Sequence, residues 1–566
     1  MKKLTILFAF FTLFTQIALA QIPSKNDKEY SKIDFYFDSL YAYQFKEYIE
    51  EKNEIEVEGV YNRIDQAVQN SETVKMIEIS NSSIKKLPRG FEKLTKVESI
   101  VFRNCKSLDL KQAFKILAKL PNLRNLEITH CQKYQIPNNI SELTQIEKLN
   151  LKANRFVLLP ESFDKLIKLK DLNVSENPYI NENFLFEVLQ RMPNLKIVNA
   201  SYCQIRTLPD VNYNLKEFNL SGNFLKIFPL KATHIENVNL SANPYIDLEK
   251  LFTNIGATKK IKNLDLSFAF LKTLPASIAK AKSLEYLSLA GNRLTSLPDE
   301  IGELENLKFL DVSTPKMATK SNALNTLPSK IGDLSKLETL LLSRNKITKL
   351  PNDFGRLQNL RKLDLNLNVM GTFPSSITKL TNLEYLDLGL TEINKLPENI
   401  GELNNLEYLN LEGNFFINYK NKIKIIPTSF TNLVKLKTLI LDDNVIEKLP
   451  VDFGNLTQLE VFNIKNNLLA TLPESINSLG MLKELNLKAN EIVTLPNSFG
   501  KLSSLEKLNI AFNFNLDTKS TASLLSNLTQ LKLVDVSDSY FEEKTILKLR
   551  DKMPNTTFKA VNIVKR

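Results

Sequence analysis

The sequence contains no tryptophan, two histidines and three cysteines in 566 residues. His130 and His234 are the only histidines, and no His, Cys or carboxylate set has metal-ligand spacing, so neither a metal nor a cofactor is expected. No G-x-S-x-G turn occurs, and an enzyme is not expected. Cys105, Cys131 and Cys203 are odd in number and isolated, which speaks against a disulfide framework and for buried thiols. No basic run carries interleaved aromatics, which argues against nucleic acid as partner. Beyond the first 20 residues no stretch is apolar enough to cross a membrane, so no transmembrane anchor is expected after leader cleavage.

What is present begins with an export signal. Lys2 and Lys3 precede an apolar run, and Ala18-Leu19-Ala20 forms an A-x-A site before Gln21, so residues 1–20 read as a secretory signal peptide. No cysteine follows that site, and no lipid anchor is expected. Residues 21–73 are rich in Tyr, Glu and Lys, with Ile64, Ala67 and Val68 at helical spacing. They read as an N-terminal helical cap over the first exposed leucines. The net charge is +11, or +9 once Lys2 and Lys3 are removed, and is read as charge spread over a solvated face. The Asn-, Lys-, Ile- and Phe-rich composition and the MKK start suggest a bacterial source.

The rest is a repeat. The phrase LxxLxLxxN returns twenty times between residues 74 and 539, mostly every 23 residues, as in LEYLSLAGN from Leu284 to Asn292. A period in the twenties marks a solenoid whose units bury their apolar side chains only against neighbours. In Leu284-x-x-Leu287-x-Leu289 the alternation is strand-like, with the leucines inward and Tyr286 and Ser288 outward. The ninth position is Asn in twelve repeats, including Asn154, Asn292, Asn345 and Asn490. An inward amide satisfies backbone groups where the strand turns out of the sheet. The three cysteines fall on this same ladder position. A Leu-Pro follows, then Ile301-Gly302-x-Leu304 as the second wall of the core.

The pattern LPxxIGxLxxLxxLxLxxN resembles the leucine-rich repeat superfamily, and more narrowly the 23-residue class of bacterial secreted and SHOC-2-like repeats. The resemblance implies an α/β repeat solenoid. It would be a horseshoe with a concave parallel β-sheet and a convex side of mostly extended or short helical segments. Residues 540–566 would be a C-terminal cap, with a helix over Glu542 to Met553 and an edge strand around Phe558.

Function is sought where the repeat is irregular. Outward third positions are aromatic at Tyr286, Phe309, Tyr385 and Tyr408 only. Nearby fifth and seventh positions carry Asp311, Asp364, Asp387, Glu412 and Asp442, so the middle of the concave face should be aromatic and acidic. It suits a protein or peptide, especially one rich in Lys or Arg. Two repeats run to 30 residues, and their insertions lie around Pro315 to Asn322 and around Phe415 to Lys422; Phe415, Phe416 and Tyr419 are costly to expose. Five units lack Leu-Pro and carry helical patterns instead. The expected function is an exported, non-enzymatic protein-interaction scaffold in the periplasm, at the cell surface or outside the cell. A glycan or cell-surface adhesin is the alternative. Were the leader misread, the resemblance would imply an intracellular signalling scaffold.

Overall fold

The computed structural model describes residues 60–61, 68, 71–229, 231, 234–316, 322–413, 422–562 and 564. Residues 57–315 and 320–566 form one compact unit. The other unit, residues 1–56 with 316–319, lies outside the described residues except for Lys316. The expected signal peptide, most of the expected N-terminal cap, and Phe415, Phe416 and Tyr419 also lie outside them. No described helix is long and apolar enough to cross a membrane.

The described chain carries a 22-stranded sheet, from Val60–Tyr61 to Thr557–Lys559. Each strand pairs in parallel with the next in sequence, so the order in space is the order in the chain. Most strands are three residues long, because only the x-L-x core of each repeat is needed to hold the register. The repeat leucines face inward: Leu284, Leu287 and Leu289 are fully buried, and their counterparts along the chain are buried. Val60–Tyr61, inside the segment expected as a helical cap, extends the sheet by one strand against Met76–Ile77. At the other end a helix over Glu543–Lys552 precedes the last strand, as the pattern predicts.

Opposite the sheet, most Leu-Pro segments lead into a one-turn 3-10 helix; the short repeat with Leu208-Pro209 forms none. Pro298 stands at the N-cap with φ −72° and ψ 153°, just before Asp299–Glu303. Its missing N–H would have had no partner at a helix start in any case. The glycine after Ile301 has a packing cause. A Cβ on Gly302 would lie 2.3 Å from the Lys330 carbonyl oxygen, so the next repeat can approach only where there is no side chain. All five units without Leu-Pro form helices: α1 (Leu110–Leu117), α2 (Glu182–Gln190), α3 (Leu248–Thr258), α4 (Thr518–Leu525) and α5 (Glu543–Lys552). Asp109, Asn181, Asp247 and Asp517 cap the first four through side-chain oxygens.

The ladder is continuous through the core. Asn345 Nδ2 donates to the carbonyls of Val312 and Leu342, each at 2.9 Å, and its Oδ1 accepts from Leu324 N–H at 3.1 Å. Asn154, Asn292 and Asn490 make equivalent sets. The cysteines do this more weakly: the thiols of Cys105, Cys131 and Cys203 donate to Ile79, Thr129 and Val174 carbonyls at 3.2 Å. All three are buried and free of disulfides. In the first long repeat Pro315 occupies the ninth place by count, but Asn322 fills the ladder. Its Nδ2 reaches Leu289 and Val312 carbonyls at 3.0 and 3.1 Å, and its Oδ1 takes Leu294 N–H at 2.9 Å. The insertion therefore enters before the ladder residue.

Asn345→Leu removes one acceptor and two donor contacts from a buried turn. At about 1–3 kcal/mol per orphaned buried group, it is expected to lower the thermal unfolding midpoint clearly. An unchanged midpoint would refute the ladder's role.

Candidate functional site

The outward third positions form one column across paired strands: Asn263, Tyr286, Phe309, Thr339, Lys362, Tyr385, Tyr408 and Thr438. Parallel, unshifted pairing sets like positions side by side, about 4.8 Å apart. Two flat side chains in adjacent rows must then stack. Tyr286 and Phe309 do so with ring centres 4.3 Å apart and planes within 10°. Tyr385 and Tyr408 repeat it at 4.3 Å and 4°. All four rings are half-buried. Burial pushes the phenols of Tyr286, Tyr385 and Tyr408 up, so they stay protonated hydrogen-bond donors. Between the pairs lie Thr339 and Lys362. The Lys362 ammonium sits 4.6 Å from the centre of the Tyr385 ring. Lys362 is not aromatic and so escapes the pattern of third-position rings, although its place one repeat before Tyr385 is visible in the spacing.

The fifth-position carboxylates have a second role. Asp311 accepts Ser313 N–H at 2.8 Å, Asp364 accepts Asn366 N–H at 3.0 Å, and Asp387 accepts Gly389 N–H at 2.9 Å. Asparagines at this position make the same bond two residues on, for example Asn239 to Ser241 N–H at 2.9 Å. The Asn or Asp preference is thus a local cap where the backbone leaves the sheet. Asp387 also receives the side-chain amides of Asn366 and Asn410, at 3.2 and 3.0 Å, and is almost buried. Asp311 and Asp364 each keep one oxygen outside these caps. Burial raises the carboxyls of Asp311, Asp364 and Glu412 above the usual range.

Asp442 departs from the pattern. Its Oδ1 takes Lys465 N–H at 2.8 Å, a bond that Asn463 would otherwise make, and the Lys465 ammonium lies 3.5 Å from its Oδ2. Asp443 accepts the Asn466 amide at 2.7 Å. The structure therefore brings Tyr286, Phe309, Asp311, Asp364, Tyr385, Asp387, Tyr408, Glu412 and Asp442 onto one face. Asp387 and Asp442 are held by the sheet itself more than they are presented to solvent. Among the described residues no group of His, Cys, Asp and Glu is placed to hold a metal ion.

A further column borders this face. Second positions mostly alternate in sign, with Glu384 and Glu407 an acidic pair in succession, and their ion pairs step from repeat to repeat. Glu285 lies 3.6 Å from Lys262 and 2.8 Å from Lys308; Lys437 meets Glu407 at 2.8 Å, and Lys483 meets Glu460 at 2.6 Å. Arg361 pairs with Glu384 in the same way. Each exposed pair is worth little alone, because water and salt screen it. Reading second positions down the repeats would have revealed the alternation.

Burial pushes the Asp442 carboxyl up to about 6, with Lys465 opposing. A folded value above the unfolded one makes this carboxyl's contribution most favourable below about pH 4, and that contribution is lost as pH rises through 6. Asp442→Asn keeps an acceptor for Lys465 N–H and removes the titration. Its stability relative to wild type should rise between pH 4 and pH 7, by on the order of 2 kcal/mol. Urea midpoints of both proteins at the two pH values test this, and a constant difference would refute it.

Comparison with known proteins agrees with the repeat fold. A family model described as a leucine-rich repeat region matches residues 261–365 and 421–555. The chain is similar in structure to TLR13 in its complex with ssRNA13, at 21% identity over 88% of this chain and 83% of that one, TM-score 0.56. It is also similar to the Toll–Spatzle complex of Drosophila, at 19% identity over 88% and 67%, TM-score 0.56. A leucine-rich repeat protein of Leptospira interrogans matches at 24% identity over 89% of this chain and 100% of that one, TM-score 0.47. No curated protein sequence matches. By its repeated residues, its ladder and its sheet, the chain is a leucine-rich repeat protein.

Proposed function

We propose that the chain is an exported, non-enzymatic scaffold that holds an extended protein or peptide segment against the outward face of its sheet, between Tyr286 and Asp442. The observation that carries this reading is the pair of stacked aromatic platforms, Tyr286–Phe309 and Tyr385–Tyr408, fixed in register on rigid strands. Rigid aromatic anchors supply contact area with little ordering cost, which is how binding hot spots are built. The Lys362 ammonium over Tyr385 supports a platform suited to cations. Asp311, Asp364 and Glu412, already partly desolvated, would be stabilised as carboxylates by a Lys- or Arg-rich partner. The leader at Met1–Ala20 supports export to the periplasm, the cell surface or the medium.

Two outcomes are expected. First, the mature chain recovered from its source should begin at Gln21; an N-terminus at Met1 would sink export and favour an intracellular scaffold. Second, affinity capture with mature protein should retain a protein partner that high salt weakens. The triple variant Tyr286→Ala, Tyr385→Ala, Tyr408→Ala should lose it. At roughly 2 kcal/mol per anchor, the loss should exceed a hundredfold. Equal retention by the variant would move the site off this face.

A further inference from the structure

One row of repeats before the acidic region, the outward face changes character. Strands Glu217–Asn219, Asn237–Asn239 and Asn263–Asp265 lie side by side and end at Tyr286–Ser288. Their outward residues form a grid two deep and three wide. Glu217, Asn237 and Asn263 occupy third positions; Asn219, Asn239 and Asp265 occupy fifth positions. These side chains and Tyr286 surround a shallow depression of about 220 Å³. We propose that this depression is a carbohydrate subsite, seating one uncharged sugar ring against the open face of Tyr286.

The polar groups are fixed in orientation before any ligand arrives. Asn219 Oδ1 is held by Ser221 N–H at 3.0 Å, Asn239 Oδ1 by Ser241 N–H at 2.9 Å, and one Asp265 oxygen by Ser267 N–H at 2.8 Å. The backbone thereby determines which end of each amide is presented. The Nδ2 groups of Asn219 and Asn239 have no protein partner among the described residues. Asn263 Nδ2 donates to Asn237 Oδ1, which leaves the Asn237 amide nitrogen and the Asn263 amide oxygen for a ligand. The grid thus offers interleaved donors and acceptors at strand spacing. A hydroxyl both donates and accepts, so a polyol meets such a set without a charged partner.

The aromatic wall and the size narrow the occupant further. Phe309 covers one face of Tyr286, and the other is turned toward the strand of Asn263. A flat aromatic face suits the C–H face of a pyranose. The volume lies below the roughly 300–1,000 Å³ of sites for drug-sized ligands, which restricts it to one small rigid unit. The subsite shares only Tyr286 with the peptide surface proposed above and stands without it.

Isothermal titration of the full mature chain with maltohexaose, cellohexaose, mannohexaose and chitohexaose tests the proposal. At least one oligosaccharide is expected to bind, with an affinity unchanged by salt. The double variant Asn237→Ala, Asn263→Ala, which touches neither the ladder nor the backbone caps, should weaken that binding at least about tenfold while leaving thermal unfolding unchanged. Tyr286→Ala should do the same, whereas Tyr385→Ala, Tyr408→Ala should not, which separates this site from the peptide surface. Absence of binding by all four sugars overturns the proposal. So does sugar binding that survives both the Asn and the Tyr286 variants. So does a protein partner lost with the Asn variant when no sugar binds, since the depression would then be part of a protein interface.

Discussion

A single repeat of this chain cannot satisfy its own backbone where the strand turns out of the sheet. The carbonyl of Val312 and the N–H of Leu324 belong to the preceding repeat and the carbonyl of Leu342 to its own, and one amide, that of Asn345, meets all three. The rest of the molecule depends on this constraint. An inward amide demands the preceding repeat at a fixed height, and so fixes the spacing of strands. Fixed spacing demands that the convex turns also approach closely, and Gly302 is the mark of that approach. Where cysteine replaces asparagine the contacts lengthen to 3.2 Å or more, yet the register persists because flanking repeats impose it.

The same register organises the surface. Because like positions face like positions, any outward side chain belongs to a column of its equivalents. Adjacent aromatics become stacked platforms, adjacent opposite charges become a ladder, and adjacent amides become a grid. The chemistry of the face is therefore set by the order in which repeats follow one another, more than by any single residue. The change from amides at Asn237 and Asn263 to aromatics at Tyr286 and Phe309, then to Thr339 and Lys362, divides one continuous sheet into separate zones.

Much of this was legible in the sequence. The inward leucines, the ladder position and all five convex helices follow from periodicity, since the apolar spacing that announces them is the spacing that packs them. The aromatic column was visible as a coincidence of positions, but stacking required knowing that the strands pair without a shift. The fifth-position preference was visible as composition only. Its cause is a bond from Asp311 or Asn239 to an N–H two residues on, and this needs the backbone's exit angle. Asp442 taking Lys465 N–H in place of Asn463 crosses repeats, which no consensus encodes. Val60–Tyr61 could not be found, because a two-residue strand outside the repeat leaves no periodic trace.

The place of Asn322 bears on descent. Seven extra residues enter between the strand and the ladder, and the amide still lands on the carbonyls its counterparts use. The solenoid thus has a seam that can be opened without re-registering a single strand. Chain can be added there while the ladder bonds and the strand pairing stay as they are in the other repeats. A lineage carrying this seam can try out new loops one repeat at a time, while the core under each trial stays the same.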